Sequence, residues 1–252
     1  MNKNIIPFGY YIVRTTHTKD LPSCCPPEYL SVAGCLCEAV IPDIDNIPLV
    51  SLNFEPEIFA EKWKLSLDVA NELFQFNRKH VAQISYARSN YISYETAREV
   101  KDTFFQERDE IALIGIGALE PDILANPDLR QVSPLPEHGT LLGYDLYEFD
   151  YYISEGEERK MPAEGDIAKK PDFAKIDVMG LGCTICCCDE KGEIPARLGI
   201  TLNRRGLYPN AADAIRAAAL VNQEKLGEPC YYIPLALLQL RMPAQDSTEG
   251  CG

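Results

Sequence analysis

The sequence predicts an α+β protein: a mixed or antiparallel sheet with three main helices packed on it. Two observations predict this class, and a third gives its arrangement. Short runs rich in aromatic and β-branched residues, such as PFGYYIVRT at 7–15 and YYIPLALLQLR at 231–241, read as strands. Three other stretches, 56–78, 93–107 and 210–227, carry apolar residues at helical spacing. The order in which the two kinds follow one another suggests helices laid on one face of the sheet.

The first strand is Pro7 to Thr15, followed by a polar, proline-punctuated loop from His17 to Pro27 that holds Cys24 and Cys25. Leu30 to Ile41 reads as a second strand, with Cys35 and Cys37 on one face by the two-residue period. Pro56 to Arg78 is the strongest helix. Pro56 suits the first turn, and Phe59, Trp63, Leu67, Ala70 and Phe74 repeat at helical spacing. Leu65, Val69, Leu73 and Phe76 make a second stripe, so packing on two sides is expected. Ser93 can cap a helix through about Glu107, with Ala97, Val100, Phe104 and Phe105 inward.

Ile111 to Leu119 (IALIGIGAL) is a buried strand that ends at Glu120-Pro121. Its Gly115 and Gly117 fit the start of a phosphate loop, but Glu120 stands at the third-glycine position; close packing of a buried strand explains them better. A proline-rich connector at 127–140 leads to the strand Leu141 to Phe149. Residues 154–172 are charged and hold two glycines and two prolines, which reads as a surface loop or insertion. Val178 to Cys188 is a strand turned by Asp189 to Gly192. Asn210 can cap a helix with Ala214, Ala217, Ala218 and Val221 inward, and Gly227 lies beyond its end. Tyr231 to Arg241 closes the fold, and 243–252 is a frayed tail. The whole reads as one domain.

The net charge is -14, with a pI near 4.7. That field repels polyphosphate, so nucleic acid is not an expected ligand; a basic protein partner is attracted. No run approaches the length of a membrane span, and the first residues lack the pattern of a signal peptide. The cytoplasm is the expected compartment, where ten cysteines point to metal, redox chemistry or buried small hydrophobes.

Four of those cysteines fall in Cys183-Thr184-Ile185-Cys186-Cys187-Cys188. This hexapeptide resembles the metal claw of nitrile hydratase α subunits, where Cys-Thr-Leu-Cys-Ser-Cys holds iron or cobalt. The resemblance implies Cys183, Cys186 and Cys188 as thiolate ligands, with Cys187 standing where the family has Ser. A zinc thiolate site is a further metal reading, with only His17, His80 and His138 to add to it. The alternative needs no cofactor. Strand alternation puts Cys183 and Cys187 on one face and Cys186 and Cys188 on the other, where thiols pack as small hydrophobes.

LLGYDLYEFD at 141–150, LNRRGLYPNAADAIRAA at 202–218 and GEPCYYIPLALL at 227–238 resemble a loose group of small bacterial cytosolic proteins that includes immunity-type members. The likeness covers about the last 110 residues and brings no catalytic motif. It implies a non-enzymatic interaction protein, an inhibitor or immunity-type protein. The acidic run Glu155, Glu157 and Glu158, beside Tyr151 and Tyr152, is the surface expected to meet a basic partner.

Overall fold

Five of the six expected strands form at the aromatic and β-branched runs, and every pairing among the strands is antiparallel. Of the expected strand Leu30–Ile41 only Leu30 and Val32 are among the described residues, and neither lies in a strand. The computed structural model describes residues 5–15, 26, 28–30, 32, 56–85, 90–155, 158–160, 162, 169–184, 193–226 and 230–240. Within them β1 is Ile6–Arg14, β2 Ile84–Ser85, β3 Asn90–Tyr91, β4 Ile111–Ala118, β5 Thr140–Glu155, β6 Glu158–Lys160, β7 Ile176–Thr184 and β8 Tyr231–Leu240. They join in one sheet of order β2-β3-β1-β4-β8-β5-β6, with β7 also on β5. The expected α+β class with an antiparallel sheet is what the chain forms.

The long strand β5 organises one end of the sheet. Its residues from Thr140 to Phe149 pair with β8, while those from Tyr147 to Ile153 pair with β7. A residue paired on both sides uses its two edges, so β7 and β8 flank β5. β6 pairs with β5 from Ile153 to Glu155, beyond the end of β8.

The helices are α1 (Pro56–Trp63), α2 (Leu67–Lys79), α3 (Tyr94–Phe104), α4 (Glu193–Leu198) and α5 (Ala211–Glu224). The stretch expected as one helix over 56–78 is thus two. Lys64 takes a left-handed φ of 52°, and the Leu65 amide reaches back to Ala60 O at 2.9 Å, which closes a Schellman turn. Ser66 then caps α2, its hydroxyl accepting from Val69 N at 3.2 Å. The break turns the register, so Trp63 is buried while Leu67 is exposed.

The other two predicted helices keep their caps. Ser93 accepts from Thr96 N, and Asn210 accepts from Asp213 N. α5 stops short of Gly227, at Lys225, which adopts a left-handed φ of 55°. Its inward residues are the four expected: Ala214, Ala217, Ala218 and Val221.

One face of the sheet carries α1, α2 and α3. Tyr10 lies opposite Tyr91 in the β1–β3 register, so the two side chains share a face. Tyr91 Oη donates to Asn77 Oδ1 of α2 at 3.0 Å, and the Tyr10 ring packs on Tyr94 of α3 at 5.7 Å. Four residues along β1, on the same face by period two, the Arg14 guanidinium lies 4.4 Å over the Trp63 ring of α1. The opposite face is buried as well: Tyr11, Val13, Ile114, Ile116, Leu235 and Leu237 are all shielded. There the Val32 amide donates to Tyr147 Oη at 3.1 Å.

Gly115 and Gly117 do pack closely. A Cβ at Gly115 would stand 2.9 Å from Leu135 Cδ2, and one at Gly117 would stand 2.0 Å from Ile5 Cγ2. Part of the charged stretch 154–172 is regular structure, since its first residues continue β5 and Glu158–Lys160 form β6. Among the described residues no helix is long and apolar enough to cross a membrane.

Candidate functional site

The site is a groove where the chain leaves β4. Leu119 still pairs with the sheet, its amide donating to Pro234 O at 3.1 Å. Glu120 precedes a proline and is therefore held extended, at φ -88° and ψ 106°. A short 3-10 helix, Pro121–Ala125, follows and buries Ile123. Across from it lies α5. Its alanines set the helix close to the sheet, and Ala211, Ile215 and Ala219 face the gap. Between them is a cavity of about 770 Å³ whose floor includes Tyr232 and Pro234 of β8. That volume falls in the ordinary range for ligand sites. Leu124 and Ile215 stand on its walls at 49% and 48% exposure, a cost in water that an occupant would relieve.

Asn222 of α5 joins helix to floor. Its Nδ2 donates to Tyr232 O and its Oδ1 accepts from Tyr232 N, both at 2.8 Å. The side chain therefore extends the ladder on the edge of β8 beyond the last β4 partner, Leu235.

One end of the groove is ionic. Lys170 Nζ donates to Glu120 Oε1 at 2.9 Å and to Asp122 Oδ2 at 2.7 Å. Tyr231 Oη donates to Glu120 Oε2 at 3.4 Å. Asp122 also lines a second hollow of about 330 Å³, which shares Pro121 with the first. The ammonium of Lys170 thus bridges the carboxylates of two adjoining hollows. Hydrogen bonding to Asp122 and then to Glu120 holds that ammonium protonated above the usual lysine range. Burial, and secondly the Glu120 charge, pushes the Tyr231 phenol up to about 12, so it stays a neutral donor.

Lys170 is placed by the residues after it. Phe173 is buried, edge-on to Phe149 at 5.5 Å. Asn126 Nδ2 donates to Phe173 O at 3.3 Å and to Ile176 O at 3.1 Å. Its Oδ1 accepts from Asp128 N at 2.9 Å, so one buried amide ties the 169–176 segment to the turn that carries Glu120 and Asp122.

The residues singled out from the sequence lie elsewhere. Cys183 falls within β7, whereas Cys186 and Cys188 lie outside the described residues, as do Cys24, Cys25, Cys35, Cys37 and Glu157. Among the described residues no three His, Cys, Asp or Glu side chains are grouped to hold a metal ion. Glu155 and Glu158 stand directly opposite each other across the β5–β6 hairpin. Tyr151 does not reach the surface as expected. It is buried beside Phe149, with ring centroids 5.9 Å apart, because it shares with Phe149 the face of β5 that Phe173 packs against. Tyr152, its neighbour, is exposed.

Sequence reading missed the groove, since Glu120, Lys170 and Tyr231 come from three distant segments. Ile215 by itself, a large aliphatic residue on the outer side of an alanine-faced helix, was no signal, since single exposed aliphatics are common on protein surfaces. No protein-family model, curated protein or solved structure matches this chain.

Proposed function

We propose that the protein is a non-enzymatic interaction protein that grips a segment of a partner in the groove between α5 and the 119–125 turn. The observation that carries this reading is the groove itself: an apolar trough of about 770 Å³ with Leu124 and Ile215 half exposed on its walls. An apolar side chain of the partner fills the trough, and its flanks meet the ionic end. A net charge of -14 favours a basic partner and speeds its approach. An inhibitor or immunity-type protein, the role implied by the C-terminal resemblance, would work by this kind of occlusion.

The test is site-specific photo-crosslinking in the source cells, with the probe at position 215 and, as a control, at the exposed Ile58 of α1. The reading expects one discrete partner captured from position 215 and not from 58, with a yield that falls as salt rises. Equal capture at both positions, or none from 215, would refute it.

A further inference from the structure

We propose that the Glu120–Asp122 pair is the seat for a lysine or arginine side chain of the ligand, and that Lys170 fills this seat in the free protein as a built-in stand-in. The inference rests on the reading of the groove as a binding site, and it names the ligand class: a cationic side chain next to an apolar one.

The geometry gives three supports. Glu120 is only 15% exposed and lines an apolar trough, and a partly shielded carboxylate of this kind favours a nearby cation. The cation it has comes from outside the trough: Lys170 is 45% exposed and reaches Glu120 and Asp122 from the 169–176 segment. Two carboxylates share that one ammonium, so the cluster keeps a net negative charge, and the 3.4 Å bond from Tyr231 leaves Glu120 Oε2 weakly used. An arginine has five donors in a planar fork and suits two carboxylates better than a lysine does.

The exchange has a built-in filter. A ligand cation that displaces Lys170 trades one ion pair for another, so charge alone gains little. The gain comes from apolar atoms that cover Leu124 and Ile215. A simple cation is therefore a poor ligand, an apolar anion is repelled, and a cation with an adjoining apolar chain satisfies both parts.

The probe is n-hexylammonium, with n-hexanol as its uncharged counterpart, titrated by NMR into the full chain. Lys170→Met vacates the seat, and Lys170→Gln serves if the first variant does not fold. The expected result is that the variant binds hexylammonium about tenfold more tightly than the parent does, the ion pair being freed from competition. Hexanol should bind both equally, and Glu120→Gln in the Lys170→Met background should erase the preference for the amine. Equal affinity of the variant for amine and alcohol would overturn the seat while leaving the groove standing. Failure of both probes to bind any of the proteins would overturn both.

Discussion

The two ends of this sheet are closed in different ways. At the β1–β3 end, polar and aromatic side chains lock the helices down: Tyr91 bonds Asn77, Arg14 covers Trp63, and Tyr10 donates to Ser133 O and Pro134 O, both at 2.8 Å. At the β8–β5 end, α5 meets the sheet through alanines, and a cavity remains beside it. Large side chains that interlock fix a structure, whereas small ones let a helix lie close and leave room along its flank. The first end is interlocked and the second keeps a hollow, and mutations should divide the same way.

The largest stability loss is expected from Trp63→Ala, about 3–5 kcal/mol in urea unfolding, because it opens a cavity and strips the cover from Arg14. A smaller cost would mean that the β1–β3 end is less tightly built than described. Tyr91→Phe comes next, at about 1–3 kcal/mol, since it takes away the donor to the buried Asn77 carbonyl. At the other end, Asn222→Ala removes two bonds to the Tyr232 backbone, but water from the groove can replace them. Its cost should be about 1 kcal/mol, below that of Tyr91→Phe. Lys170→Met should be the mildest, under about 1 kcal/mol, as its ion pairs are partly exposed.

High pH probes both ends together. Burial raises the phenols of Tyr10 and Tyr231 from 10.0 to about 12. Between those values the unfolded chain has lost the proton and the folded chain keeps it. Stability supplied by these groups is therefore full below pH 10 and falls as pH rises toward 12. Tyr10→Phe and Tyr231→Phe should each flatten the decline in thermal unfolding temperature over that range. A profile unchanged in either variant would refute the assigned shift.

The sheet was legible in the sequence because apolar runs rich in aromatic and β-branched residues, such as Ile6–Arg14 and Tyr231–Leu240, carry their own signal. Ser93 and Asn210 were legible for the same reason, as caps act within one turn. The break at Lys64 was not, since a lysine in the left-handed region has no sequence mark like that of glycine. The burial of Tyr151 was not legible, because its residue type does not say which face of a strand turns inward. The groove is a product of tertiary placement, in which Glu120, Lys170 and Tyr231 meet only after β4, β5 and β8 have paired.

The most direct test maps amide shifts across the protein as n-hexylammonium is titrated into Lys170→Met. The account predicts perturbations confined to Ile6, 119–124, 211–222 and 231–234, with the amides of Tyr10–Arg14 in β1 and of α1–α3 unmoved. Shifts centred on Trp63, Tyr91 or Tyr10 would contradict it.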